Sequence, residues 1–141
     1  ELGLNSKQYI IRERYLPPDK SYGITISNRA GSVNLKNQHF ELKPLNNSLS
    51  KPCHYPFFKV LIDYDGAVLM CSNDWKKEKI YGNIKENSLS KIWLSNDFII
   101  KRKKLIRCDR SDNPCKVCDV DGTLNGKKSF DAWKNYFSTK T

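Results

Sequence analysis

The sequence predicts an α+β fold in which a small β-hairpin and a helix are built around a four-cysteine metal site. Three observations carry this. Cys53, Cys71, Cys115 and Cys118 are spaced so that folding can gather them. Two apolar runs flank Asp65-Gly66, and Ser88 precedes an amphipathic stripe.

Strand-forming segments come first. Tyr9-Ile10-Ile11 and Tyr22 to Ser27 are β-rich, separated by Pro17-Pro18-Asp19, a turn that no strand crosses. Asn28-Arg29-Ala30-Gly31 then falls at a strand's carboxyl end or in its turn, and residues 41–51, with Pro44, Asn46 and Asn47, read as a linker. The organisation expected is residues 1–51 as N-terminal strands and linker, and residues 52–141 as the metal-centred domain.

Phe57 to Asp63 and Ala67 to Cys71 predict two strands, and Asp65-Gly66 between them predicts a type I′ hairpin turn with both central residues at positive φ. From the Ser88 N-cap a single helix is expected, with Leu89, Ile92, Trp93, Ile99 and Ile100 on its buried stripe and Lys91, Lys101, Lys103 and Lys104 away from it. The basic residues at its end suit the negative end of the helix dipole. Phe130 to Phe137 forms a short amphipathic segment expected to return to the core.

Composition excludes several classes. No run approaches the roughly 18 apolar residues of a membrane span, and 141 residues cannot hold a complete (β/α)₈ barrel, which needs roughly 200 or more. No signal-peptide pattern opens the chain, which begins with Glu1 and has Met70 as its only methionine, so it reads as a piece of a longer protein. The net charge of +10 suggests an acidic partner such as nucleic acid. Lysine outnumbers arginine nineteen to six, however, and only Lys101 to Arg110 concentrates the charge. Nucleic-acid binding is therefore carried only as an alternative, and no membrane partner is expected.

Five cysteines fit a closed disulfide framework poorly and point to a metal in a reducing, cytoplasmic compartment. Cys115-Lys-Val-Cys118 is a CxxC whose tight turn converges two sulfurs. It lies in a loop context, which disfavours a redox dithiol. Cys53 precedes the first hairpin strand and Cys71 ends the second, so antiparallel pairing brings both to one end of the hairpin. Four sulfurs around one centre select zinc or an iron-sulfur cluster, and ligand identity does not decide between them.

The flanking words narrow the choice. Pro52-Cys53-His54-Tyr55-Pro56-Phe57, Asp65-Gly66-Ala67-Val68, Cys71-Ser72-Asn73-Asp74-Trp75, Gly82-Asn83-Ile84, Ser88-Leu89-Ser90-Lys91-Ile92-Trp93 and Pro114-Cys115-Lys116-Val117-Cys118-Asp119 together resemble the twitch form of the SPASM domain. That domain stands at the C-terminus of many radical S-adenosylmethionine (radical SAM) enzymes. The resemblance implies one auxiliary [4Fe-4S] cluster on Cys53, Cys71, Cys115 and Cys118, and an upstream radical SAM barrel of which residues 1–51 are the tail. It also implies an electron-donor protein and a peptide, protein or small-molecule substrate. The family's S-adenosylmethionine-cleaving CxxxCxxC is missing, as are the extra cysteines of the longer SPASM pattern. S-adenosylmethionine is thus expected only in the full-length enzyme, and this chain alone should be inactive.

Of the remaining residues, Cys108 reads as a free thiol or filler, and His54 as a side chain that four cysteines make unnecessary as a ligand. Amides near Asn73-Asp74 are expected to donate to sulfur, with Trp75 as an apolar shield or a core residue. Asn28 or Arg29, if at a barrel strand's carboxyl end, would face S-adenosylmethionine or substrate. The alternative to the radical SAM reading is a structural module stapled by zinc or a cluster, and a basic nucleic-acid binder would be one form of it.

Overall fold

The computed structural model describes residues 26–36 and 41–139. The expected strand at Tyr9 to Ile11, the turn at Pro17 to Asp19, residues 22–25 and His39 lie outside them. Within them the fold is α+β, with two small antiparallel sheets and three helices.

A two-stranded ribbon pairs β1 (Leu35–Lys36) with β2 (Glu41–Leu42), Leu35 opposite Leu42. The stretch expected as linker is thus partly strand, and it is tied down. Leu42 is buried, and the Leu45 N–H donates to the Val117 carbonyl at 3.0 Å.

The second sheet is a meander of β3 (Leu61–Ile62), β4 (Ala67–Leu69) and β5 (Ile80–Asn83). Leu61 faces Leu69 and Ile62 faces Val68. The hairpin is there, but its turn differs from the expected type I′. Of the loop residues 64 to 66 only Gly66 has positive φ, at 88°, and the Gly66 N–H donates to the Asp63 carbonyl while the Asp63 N–H donates to that of Ala67, both at 2.9 Å. This is a three-residue loop closed by a left-handed glycine. Asp65 keeps a local role by accepting the Ala67 N–H at 3.0 Å. Phe57 falls in a 3₁₀ turn (Tyr55–Phe57), which shortens the expected first strand to Leu61–Ile62.

The expected single helix is two. Ser88 caps α1 (Leu89–Trp93) by accepting from the Lys91 N–H, and Ser95 caps α2 (Asn96–Ile106) by accepting from the Phe98 N–H. The second cap resets the helical phase. The inward face of α2 is therefore Phe98, Lys101, Arg102 and Leu105, leaving Ile100 53 % exposed. Phe98 is fully buried against Tyr81 and Trp93, with ring centroids 4.3 and 5.5 Å away. Burial of a side chain of this size contributes about 2–3 kcal/mol.

Arg102 is also fully buried. Its guanidinium lies over Trp93, Phe98 and Trp133 at 4.0, 4.7 and 4.5 Å and donates to the carbonyls of Pro56 and Trp93, while Nη2 has no partner. Burial pulls its pKa down to about 10.

At the C-terminus of α2 the Asp109 N–H donates to the Lys104 carbonyl (2.9 Å) and the Cys108 N–H to the Leu105 carbonyl (3.2 Å). This is a Schellman cap, with Cys108 at φ 62° in the position usually held by glycine. Then α3 (Lys127–Ser138) returns as expected, with Phe130 against Phe57 and the His54 ring. Among the described residues no helix is long and apolar enough to cross a membrane.

Candidate metal centre

Cys53, Cys71, Cys115 and Cys118 line one cavity, together with Ala30, Tyr55, Met70, Asn73, Arg110, Pro114 and Val120. Their sources are those read from the sequence. Cys53 stands just before the 3₁₀ turn, Cys71 just after β4, and Cys115 opens a second 3₁₀ turn (Cys115–Val117) that Cys118 closes by donating its N–H to the Cys115 carbonyl at 3.2 Å. All four are free thiols. Among the described residues no three His, Cys, Asp or Glu side chains converge as the ligands of a single ion.

Hydrogen bonds reach this cavity at the Cys71 sulfur. The Asn73 N–H, two residues downstream, turns back onto the Cys71 thiol at 3.4 Å. Asn73 adds its side-chain Nδ2 at 3.6 Å. The Asn73 amides are thus where the sequence placed them. Trp75 is not a shield and not core: it is 59 % exposed, outside the cavity wall, bonding the Ser72 carbonyl and carrying the Arg29 guanidinium over its ring at 5.2 Å.

Burial pushes every one of these thiols upward, Cys53 to about 12 and Cys118 to about 11. Donated hydrogen bonds and nearby cations oppose the shift: Arg110 acts on Cys53 and Cys115, Lys59 on Cys71, and Lys101 on Cys115. The cavity thus gathers four buried thiols, with cations near Cys53, Cys71 and Cys115.

The remaining candidates fall outside this cavity. Cys108 is partly buried and does not line it. The His54 ring stacks on Phe130 at 4.5 Å and reaches the Asn125 carbonyl at 3.2 Å. Asn28 is fully buried, and its amide donates to the carbonyls of Lys43 (2.8 Å) and Val117 (2.7 Å) while accepting from the Gly31 N–H. Arg29 donates to the Asn73 side-chain oxygen at 2.9 Å.

Sequence reasoning missed three contributors. Lys101 and Arg110 were counted in a solvated basic run, yet both are buried beside sulfur, and with Arg102 they remove half of that run's six cations from the surface. Gly122, at φ 79°, lies so near Cys53 Sγ that a Cβ would collide with it. The signal available for Arg110 was its place between Cys108 and Cys115, inside the span of the four cavity cysteines.

Residues 53–119 match the model of SPASM, an iron-sulfur cluster-binding domain. No curated protein matches the chain. Among solved structures it is similar to BtrN in complex with AdoMet and 2-DOIA, with a TM-score of 0.59, 26% identity, and coverage of 73% of this chain and 38% of that one. It is also similar to selenomethionine BtrN in an open conformation, with a TM-score of 0.50, 30% identity, and coverage of 51% of this chain and 34% of that one. The chain thus spans little more than a third of the BtrN chains.

Proposed function

We propose that the chain is the auxiliary-cluster part of a radical SAM enzyme, in which Cys53, Cys71, Cys115 and Cys118 hold one [4Fe-4S] cluster. In this reading residues 52–141 form the twitch-like cluster domain and residues 1–51 belong to the end of an upstream barrel. The observation that carries it is the cavity shared by four buried thiols, one of them, Cys71, held by the Asn73 amides. The likeness to BtrN, solved with AdoMet, supports the enzyme class.

Such a cluster supplies a site that gains or loses one electron. Four protein thiolates leave no iron open to substrate, so the reading is electron transfer to or from a partner, together with support of the substrate site. The chain's own residues hold the sulfurs, donate to them and keep water from them. Ala30, in the turn after Arg29, is part of the cavity wall. The turn at residues 28–31 and the sulfur cavity are therefore in contact, which supports Arg29, its guanidinium over exposed Trp75, as the one of the two that faces AdoMet or substrate, with fully buried Asn28 holding the turn.

The test is anaerobic reconstitution with iron and sulfide. About four iron and four sulfide per chain are expected, as the cluster type requires. Loss is expected in each of Cys53→Ala, Cys71→Ala, Cys115→Ala and Cys118→Ala, and retention in Cys108→Ala. A colourless protein carrying one zinc and folded without iron would replace the reading with the structural one. For the Asn28 and Arg29 assignment, unchanged AdoMet affinity in Arg29→Ala of the full-length enzyme would refute it.

A further inference from the structure

Arg110 is 2 % exposed, and its guanidinium is committed to four carbonyl oxygens. Nε donates to Lys51 at 2.9 Å, Nη1 to Val120 at 2.8 Å, and Nη2 to Pro52 at 2.6 Å and to Asp121. Lys51 and Pro52 lead directly into Cys53, while Val120 and Asp121 follow closely on Cys118. One side chain thus fastens the approach to one ligand to the exit from another, from a position on the cavity wall.

Carbonyls satisfy its protons without neutralising its charge. Among the described residues no ion pair involves Arg110; the Asp121 carboxylate pairs with Lys51 instead. Lys101, the other buried cation at the cage, differs in having the Asp112 carboxylate at 3.7 Å. No acid compensates this buried charge, and the sulfurs it acts on, Cys53 and Cys115, become anions when a metal displaces their protons.

We propose that Arg110 is a positioning residue that serves as the fixed counter-charge of the four-cysteine centre and sets its reduction potential. This rests on the cluster reading above. Four thiolates outweigh the charge of the iron-sulfide core, so the centre is anionic and becomes more so on gaining an electron. A permanent cation on its wall, in a medium of low dielectric, favours the reduced form.

The experiment uses the 141-residue chain, whose lack of CxxxCxxC leaves the auxiliary cluster as the one redox centre expected. Dithionite titration in the presence of mediators, followed by electron paramagnetic resonance, gives the midpoint for the parent, Arg110→Gln and Arg110→Lys. At the parent's midpoint the reduced-to-oxidised ratio of Arg110→Gln is expected to fall about tenfold, equivalent to about 59 mV for a one-electron couple, while Arg110→Lys stays near the parent. An Arg110→Gln cluster with the parental midpoint overturns the proposal. If Arg110→Gln assembles no cluster, Arg110→Lys decides. Assembly with the parental midpoint supports the counter-charge, whereas failure to assemble, or a midpoint lowered to the same tenfold extent, overturns it. A parent chain that assembles no cluster refutes the four-cysteine reading and this inference with it.

Discussion

Asn28 and Asp119, 91 positions apart, hold each other reciprocally: the Asn28 N–H donates to both carboxylate oxygens of Asp119 at 2.9 Å, and the Asp119 N–H returns to the Asn28 amide oxygen at 3.4 Å. Asp119 follows Cys118 directly, so the turn at Asn28 fixes the exit of the CxxC loop. Asn28→Ala strips the amide from buried partners at Lys43, Val117, Gly31 and Asp119. Its expected cost is about 2–4 kcal/mol, because buried groups left unpaired carry their full desolvation penalty. Urea denaturation measures this, and faster iron loss from the reconstituted chain should accompany it.

Cys108 should be replaceable with a gain in stability. It sits left-handed at the end of α2, a conformation that costs a side-chain-bearing residue roughly 1 kcal/mol relative to glycine. Cys108→Gly is expected to raise the urea midpoint and to leave iron content unchanged. Loss of iron would mean that Cys108 belongs to the cage.

Gly122 has the opposite character. At φ 79°, with Cys53 Sγ against the place of a Cβ and Arg110 Nη2 3.3 Å from it, Gly122→Ala meets strain and collision at once. A loss of about 2 kcal/mol or more is expected, with iron content below that of the parent measured by metal analysis.

The cage should also show a pH dependence in the metal-free chain. The folded thiols titrate above the ordinary cysteine range, Cys53 at about 12 and Cys118 at about 11. Between that range and these values the folded chain holds protons that the unfolded chain has released, so stability falls as pH rises. Unfolding of the metal-free chain should become easier from about pH 8 to about pH 10.5, the interval that opens at the ordinary cysteine range. In the loaded chain the four thiols carry no protons, and this contribution should vanish. Equal slopes in the two forms would contradict the burial of the four thiols.

The cage was legible because ligand spacing and hairpin periodicity are local properties. Cys53 and Cys71 follow from pairing about Asp65 and Gly66, and Cys115 and Cys118 from a tight turn. The turn type was not legible, since Asp-Gly serves a two-residue and a three-residue loop equally well and only the register of Ile62 with Val68 chooses between them. Nor was the break between α1 and α2. Ser95 within a helical pattern is a weak signal, but as a cap it rephases the helix and turns Lys101 and Arg102 inward. Lysine and arginine ordinarily mark a wet face, so no composition rule would place them beside sulfur. Residues 28 and 119 are polar and distant, and nothing in the sequence couples them.

In the reading proposed above, the order of the four cysteines along the chain bears on assembly. Cys53 and Cys71 leave the ribosome long before Cys115 and Cys118, and the first pair alone offers a carrier only half a binding site. A complete four-sulfur site therefore exists only once synthesis has passed residue 118.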